Sequence, residues 1–253
     1  MSGEIKLKNI KFVFLAISKI RNWPSYLTDL FNLTKKKLIV YKLRDGTKFQ
    51  LRARTSDRGI LTSVVLLDEY RINSTDLPRD ATIIDIGGQT GMLSVFASRK
   101  ASKVYTYEPI KENYEFIKKN IALNGLKNKI TVFNMAVSDK KKKLKIYISA
   151  DNTGGHSAYG KGKYETVIAI PFQSVFEDND IKRCDLLKLD AEGSEYEILY
   201  NLPSQYFNRI KRIYMEYHDI DSKDRNHKTL VKFLKAKKYS VEYDAGLLYA
   251  IRK

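Results

Sequence analysis

The spacing of apolar and polar residues along the chain changes close to residue 80. Before that point, apolar residues recur at helical spacing in three stretches. These predicted helices cover residues 10–20, 26–33 and 57–70. Two apolar runs joined by Asp45-Gly46 predict a β-hairpin over 38–51. We therefore divide the chain into an accessory region of helices and a hairpin, residues 1–80, and a main domain, residues 81–253.

In the main domain, apolar runs typical of strands alternate with helical patterns. The predicted strands cover residues 83–86, 104–108, 130–135, 186–189 and 210–217, and a hairpin is predicted over 144–148 and 166–170. The predicted helices cover residues 92–99, 112–124, 195–202 and 228–237. This alternation is typical of an α/β fold with a mostly parallel sheet and helices on both faces. Two closing strands, 239–243 and 247–251, have no helix between them, which predicts an antiparallel pair at one edge.

Composition adds a strongly basic surface to this picture. The chain has 43% hydrophobic residues, enough for a substantial core, and its single cysteine, Cys184, excludes a disulfide framework and is predicted to fill the core. The formal net charge of +17 predicts attraction to phosphates, anionic lipid surfaces or acidic glycans. The densest lysine runs, 35–37 and 140–143, are expected to face water.

The apolar stretch over residues 10–17 resembles the core of a signal peptide, but it is short and lacks a small-x-small cleavage site. It is also shorter than the roughly 20 apolar residues that a membrane-spanning helix needs. We expect a cytoplasmic protein. An amphipathic helix here leaves open a peripheral contact with the inner face of a membrane.

A glycine-rich loop follows the first strand of the main domain. Gly87, Gly88 and Gly91 surround Gln89 and Thr90, and the next predicted helix offers its amino end to a ligand. Loops at the carboxyl ends of parallel strands are where open α/β sheets bind ligands, so we predict that residues 87–91 bind a cofactor. The loop lacks the dinucleotide spacing G-x-G-x-x-G. Asp85, two residues before the first glycine, would suit a cationic amino-acid group and would repel a pyrophosphate.

Four further residues extend this predicted cofactor site. Glu108 ends the next strand, about 20 residues beyond the loop, where a carboxylate accepts hydrogen bonds from a ribose diol. Pro109, directly after it, would then flank an adenine. The tip after the third strand can read the adenine edge through Asn134 or Ala136, although an ordinary strand-to-turn transition explains that segment equally well.

These residues match a known family. The chain resembles the FkbM-type methyltransferases over about residues 43–217, most closely at 83–91, at 107–109 and at 187–195, where Leu-Lys-Leu-Asp-Ala-Glu-Gly-Ser-Glu is similar to the family signature K-x-D-x-E-G-x-E. The resemblance implies a Rossmann-like class I methyltransferase with a seven-stranded sheet. It also implies S-adenosyl-L-methionine as the cofactor and O-methylation of a sugar, a glycan or another small molecule. Gly88-Gln89 stands where many members carry Ala-Asn, which leaves the role of Gln89 open.

Four side chains are candidates for the reaction itself. Methyl transfer to a hydroxyl requires an oriented acceptor and a base. Asp190 ends the fourth strand, which would place it beside the cofactor methyl group, and Glu192 could hold a substrate hydroxyl. Glu216, expected to be buried, and His218 lie on the same face of the fifth strand. A capping box formed by Ser194 and Glu197 is the competing explanation for the acidic residues of 195–197, but it does not explain Asp190 and Glu192.

Several alternatives remain beside the O-methyltransferase. The net charge favours an RNA methyltransferase, but no Asn-Pro-Pro-Tyr motif, paired catalytic cysteine or RNA-binding module is evident. Two further alternatives are a protein that binds the cofactor without catalysis and an NAD-linked dehydrogenase. Asp85 argues against the dehydrogenase, because its carboxylate would repel the pyrophosphate of NAD. We predict a site without a metal, although the four candidate side chains are reasonable ligands for a divalent cation. The expected acceptor is a small molecule or a phosphorylated or lipid-linked glycan. The loop 151–160 is either a lid over it or an ordinary turn.

Overall fold

The computed structural model describes residues 2–149, 156 and 162–253, and in residues 2–9 it describes the backbone alone. The predicted lid, 151–160, therefore lies outside the described residues except for His156. The amino-terminal region consists of helices α1 (Ser2–Lys19) and α2 (Trp23–Leu30), the antiparallel hairpin of β1 (Leu38–Lys42) and β2 (Lys48–Arg52), and helix α3 (Asp57–Leu61). The predicted helix over 57–70 is confirmed as far as Leu66, where its last turn, Thr62–Leu66, is π-helical, and it is wrong for residues 67–70.

The main sheet has seven strands. Its members in chain order are β3 (Thr82–Ile86), β4 (Lys103–Tyr107), β5 (Ile130–Phe133), β9 (Leu186–Leu189), β10 (Arg212–Glu216), β11 (Tyr239–Asp244) and β12 (Leu247–Arg252). The spatial order is β11-β12-β10-β9-β3-β4-β5, and all pairs are parallel except those of β12 with β10 and β11. This confirms the predicted α/β fold, with a mostly parallel sheet and an antiparallel pair at one edge.

A smaller sheet covers the carboxyl side of β5. It contains β6 (Ala136–Ser138), β7 (Lys142–Tyr147) and β8 (Tyr164–Pro171), with β8 between the other two. The remaining helices are α4 (Met92–Ala97), α5 (Lys111–Leu123), α6 (Phe172–Glu177), α7 (Glu195–Tyr200), α8 (Ser204–Phe207) and α9 (His227–Ala236). The β7–β8 hairpin lies where the sequence predicts it, and its pairing with β6 holds that strand beside the main sheet.

The apolar core fills both faces of the main sheet. One cluster packs α6, α7 and α9 against β9 and β10, and includes Cys184. The other packs α4 and α5 against β3 and β4, and the same cluster takes in Tyr26, Tyr41 and Leu61 of the amino-terminal region. Residues 1–80 and the main domain therefore share one hydrophobic core over the described residues. Within the described residues, no helix has the length and hydropathy required to cross a membrane.

Candidate active site

The glycine loop is held tightly to the neighbouring strand tips. The backbone N–H groups of Gly87 and Gly88 both donate to the carbonyl of Tyr107, at 3.0 and 3.1 Å. Gly87 has a φ of 80°, and a Cβ at this position would overlap the backbone carbonyl oxygen of Asp190. A residue without a side chain is therefore required where the tips of β3, β4 and β9 meet.

Gln89 ties this loop to the amino-terminal region. Its side-chain amide donates to Asp57 at 2.7 Å, and its amide oxygen accepts from the backbone N–H of Thr90 at 2.6 Å. Asp57 is buried and is itself paired with Arg52 at 2.9 Å. The role left open for Gln89 by the sequence is thus, at least in part, to anchor the loop to α3.

Glu108 lies under the loop with both carboxylate oxygens engaged by backbone N–H groups. Gln89 donates to one oxygen and Ile110 to the other, each at 2.8 Å. Burial raises the pKa of Glu108 to about 7, although these two hydrogen bonds favour the ionised form. Asn134 donates to the carbonyls of Glu108 and Pro109, at 3.0 and 2.8 Å, and so fixes the segment that follows β4.

A cavity of about 390 Å³ opens over these strand tips. Nine of the predicted site residues line it: Gly87, Gly88, Gln89, Glu108, Pro109, Ala136, Asp190, Glu192 and Glu216. The amino-terminal region supplies one wall, formed by Ser56, Gly59, Ile60, Ser63, Val64, Glu69 and Tyr70. The region predicted as accessory therefore contributes directly to the candidate site.

Five predicted residues are not part of the described lining. Asp85 lies below the loop in the sheet, where it accepts a hydrogen bond from Ser94 at 2.5 Å. Thr90 is buried, and Gly91 begins α4 with a φ of 78°. Asn134 is turned toward the β4 tip, as described above, and His218 lies behind Glu192.

Lys188 is a site residue that the sequence reasoning quoted in the family signature but did not single out. Its ammonium group is buried beneath the loop, donates to the carbonyl of Gly87 at 2.5 Å and lies 3.5 Å from both Asp85 and Asp190. Burial acts to lower the pKa of Lys188, but the charges of Asp190 and Asp85 raise it above its ordinary value. This cation therefore balances two carboxylates and supports the loop. A lysine inside an otherwise apolar strand, Leu186–Leu189, was the signal that could have identified it.

Carboxylates gather at the end of the cavity nearest β9 and β10. Asp190, Glu192 and Glu216 all line this end, which we call the acidic end. Burial is the main cause that raises the pKa of Glu192 to about 7, and the negative charge of Asp190 is the second cause. The same two causes raise the pKa of Glu216. The prediction that Glu216 is buried is wrong, because its side chain is 48% exposed at the cavity mouth.

His218 joins the acidic end through a second residue that the sequence reasoning passed over, Glu195. The imidazole Nδ1 lies 3.2 Å from Glu195, and Nε2 lies 3.5 Å from Glu192 and 3.9 Å from Glu216. The hydrogen bond to Glu195 raises the pKa of His218 to about 9. The histidine is therefore protonated at neutral pH in this state of the protein.

Glu195 is not part of a capping box. Ser194 makes no side-chain capping hydrogen bond, and Glu197 pairs with Lys142, so the predicted capping explanation is wrong. The buried Glu195 carboxylate instead accepts from the backbone N–H groups of Ala191 and Gly193, at 2.8 and 3.0 Å. It fixes the turn that carries Glu192, whose φ is 50°. Its spacing within the family signature was the signal for this role.

The known proteins that this chain matches are methyltransferases. Residues 85–241 match the family described as the methyltransferase FkbM domain. "Methyltransferase 1" of Beauveria bassiana is 21% identical over 179 residues, which are 61% of this chain and 72% of that protein. An uncharacterized RNA methyltransferase of Caldanaerobacter subterraneus is 33% identical over 86 residues, but these are only 34% of this chain and 19% of that protein.

Among solved structures, the crystal structure of a SAM-dependent methyltransferase from Agrobacterium tumefaciens superposes with a TM-score of 0.52 at 12% identity. The match covers 86% of this chain and 70% of that one. At this identity the similarity describes the fold, and it agrees with the seven-stranded sheet described above.

Proposed function

Because the chain belongs to the FkbM methyltransferase family, we propose that it transfers a methyl group to a hydroxyl oxygen of a sugar, glycan or other small molecule. Its methyl donor is S-adenosyl-L-methionine, which presents the methyl group on a positively charged sulfur. The acidic end of the cavity is the observation that carries the proposal.

The described residues fit this cofactor. Gly87 and Gly88 line the cavity, so the loop presents its backbone to the cofactor without intervening side chains. Glu108 retains lone pairs that can accept hydrogen bonds from a ribose. Asp190 carries a buried carboxylate oxygen, Oδ1, without a hydrogen-bond partner among the described residues. An unpartnered anionic oxygen beside the loop would stabilise the cationic donor.

The acidic end favours a hydroxyl acceptor. Carboxylates accept hydrogen bonds from a hydroxyl group and can take its proton, whereas they repel a phosphate at the same place. In the proposed reaction the acceptor oxygen bonds to the methyl carbon as the carbon–sulfur bond breaks and its electron pair stays on sulfur. The hydroxyl proton passes to the carboxylates of Asp190, Glu192 or Glu216 and then to solvent. His218, protonated at neutral pH, balances their charge.

The proposed acceptor is a lipid-linked or phosphorylated glycan at the cytoplasmic face of a membrane. The net charge of +17 supports this because it attracts anionic surfaces. Lys35, Lys36 and Lys37 are exposed, and the apolar side chains of Leu33 and Leu38 on either side of them are exposed as well. Basic residues interleaved with exposed apolar ones are typical of peripheral membrane contacts.

Labelled S-adenosylmethionine offered with cell-envelope glycans and, separately, with total RNA tests the function. We expect label in an ether linkage on the glycan fraction, and a loss of at least about a hundredfold in Asp190→Asn. Asp180→Asn is the control, because Asp180 is exposed and precedes the amino end of β9, at the opposite edge of the sheet. Label in RNA, or on a nitrogen atom, would replace the proposal with the RNA methyltransferase alternative.

A further inference from the structure

Three side chains at the acidic end are arranged as ligands for one ion. Asp190, Glu192 and His218 each offer an atom, and these atoms lie within 4.8 Å of one another. Ligand atoms of a six-coordinate divalent ion lie about 3.0 to 4.2 Å apart, since each bond is about 2.1 Å long. Small rotations of the side chains would therefore bring the three atoms to bonding distance.

The orientation of His218 is independent support for a metal. Histidines that bind metals usually give their second ring nitrogen to a carboxylate, which fixes the ring and its tautomer. Here Glu195, fully buried, holds Nδ1 at 3.2 Å and leaves Nε2 directed toward Glu192. The same carboxylate also fixes the turn of residues 191–193, so it aligns two of the three candidate ligands at once.

The charge balance points the same way. Asp190 has the unpartnered buried oxygen noted above, and Glu216 adds a further carboxylate within 3.9 Å of His218. The neighbouring cation, Lys188, is shared among Asp190, Asp85 and the carbonyl of Gly87, so it compensates only part of the negative charge. A divalent cation would neutralise the remaining negative charge of this group.

We propose that Asp190, Glu192 and His218 bind one divalent cation of the Mg²⁺ or Mn²⁺ class, which replaces the Nε2 proton that His218 carries in the metal-free protein and holds the acceptor hydroxyl for methyl transfer. Two carboxylates with a single imidazole suit these oxygen-preferring ions. Bound to the ion, the acceptor oxygen becomes more acidic and is oriented toward the donor. It bonds to the methyl carbon, the carbon–sulfur bond breaks with its electrons staying on sulfur, and the hydroxyl proton passes to Glu216, the carboxylate that does not bind the ion, and then to solvent. The catalytic role rests on the proposed function, whereas the binding site does not.

Titration with Mn²⁺, followed by electron paramagnetic resonance with S-adenosylhomocysteine bound, tests the site without any acceptor. We expect one Mn²⁺ per chain, bound at least about tenfold more weakly in Asp190→Asn and in His218→Gln, and unchanged in Asp180→Asn. Binding of S-adenosylhomocysteine and thermal melting of each variant show that it is folded. No Mn²⁺ binding in the wild type, or equal binding in folded Asp190→Asn, would overturn the proposal.

A second measurement distinguishes a failure of the proposed metal site from a failure of the proposed O-methyltransferase activity. If methyl transfer to a hydroxyl proceeds at the full rate with excess EDTA, the catalytic role of the ion is overturned while the O-methyltransferase stands. If no hydroxyl acceptor is methylated but Mn²⁺ binding still depends on Asp190 and His218, the metal site is supported and the proposed function fails.

Discussion

Glu108 is buried against the glycine loop, and its charge controls whether it can accept hydrogen bonds from a ribose. Burial raises its pKa to about 7, so near neutral pH it is partly protonated. Cofactor binding favours the ionised form and therefore becomes weaker as the pH falls. We expect the affinity for S-adenosylhomocysteine, measured by calorimetry, to drop by up to about tenfold per pH unit below pH 7.

Two variants isolate Glu108 from other groups that titrate in the same range. Glu108→Gln should bind S-adenosylhomocysteine more weakly but with a much flatter pH dependence. Burial also raises the pKa of Glu192 to about 7, so Glu192→Gln is the matched control and should keep the dependence of the wild type. A flat profile in the wild type would contradict the role assigned to Glu108.

Gly87 allows the tips of three strands to meet. Its replacement by alanine has two costs, a steric overlap with Asp190 and an unfavourable positive φ, and a second glycine variant measures them separately. Gly87→Ala adds a Cβ that overlaps the Asp190 carbonyl, and Gly125→Ala adds one in open space. Both glycines have a positive φ, 80° and 67°, so the two variants share the backbone penalty. We expect Gly125→Ala to cost roughly 1 to 2 kcal/mol of unfolding free energy and Gly87→Ala about 3 to 5 kcal/mol.

Thermal melting and S-adenosylhomocysteine binding measure the difference between the two glycine variants. Gly87→Ala should also lose cofactor affinity, because the carbonyl that must move belongs to Asp190. Gly125 lies just past the end of α5 and is not among the described residues of the cavity lining, so Gly125→Ala should retain the affinity. Equal melting temperatures for the two variants would show that the close approach to Asp190 is unimportant for stability.

The sequence could predict the site residues that lie at the carboxyl ends of strands. Gly87, Glu108 and Asp190 end or follow β3, β4 and β9, and parallel strands bring their carboxyl ends to one edge. It could not predict the partner of Glu195, because a carboxylate in the first turn of a helix is favourable even without a specific contact. That His218 comes within 3.2 Å of it depends on the path of the chain beyond β10.

At the scale of elements, a side-chain hydrogen bond connects the glycine loop to α3. Gln89 donates to Asp57, and Asp57 keeps its pairing with Arg52 when Gln89 is removed. A hydrogen bond to a charged group contributes about 1.5 to 3 kcal/mol. Gln89→Ala should therefore lower the melting temperature by several degrees, and the loosened loop should bind S-adenosylhomocysteine at least about tenfold more weakly.

A matched variant checks that this effect belongs to the loop. Gln205→Ala removes an exposed glutamine from α8, away from the cavity, and should leave cofactor affinity unchanged. Unchanged affinity in Gln89→Ala would mean that the backbone hydrogen bonds of the loop suffice to fix it, and that the anchor to α3 serves stability alone.

Helices and strands were predictable wherever the apolar residues recurred at one clear spacing, either helical or strand-like. The alternation of β3, α4, β4 and α5 gives the parallel order directly. The π-helical turn after α3 was not predictable from the sequence. Val64, Val65 and Leu66 are consecutive and all buried, so the spacing of apolar residues does not distinguish an α-helix from a π-helix here. Insertion of a residue into such a helix leaves its hydrophobic pattern almost unchanged.

At the scale of the whole molecule, the joining of the amino-terminal region to the sheet depends on contacts distant in sequence. Tyr26 and Tyr41 enter the same core cluster as Ile83 and Val104. The sequence shows that these residues are apolar but not which surface they cover. This is why residues 1–80 could be interpreted as accessory, although they build one wall of the cavity.

The surface of that region gives a final prediction. Ile10 on α1 is 52% exposed and Ile168 on β8 is 51% exposed, so their replacement by serine removes similar apolar area from the amino-terminal region and from the smaller sheet. If the amino-terminal face contacts an anionic membrane, Ile10→Ser should weaken binding to phosphatidylglycerol vesicles by about threefold to tenfold, and Ile168→Ser should not. Wild-type binding should also fall as salt is raised, because the basic side chains supply the long-range attraction. Equal loss in both variants, or equal binding to uncharged phosphatidylcholine vesicles, would refute a contact through this face, because neither the position of Ile10 nor the net charge would then matter.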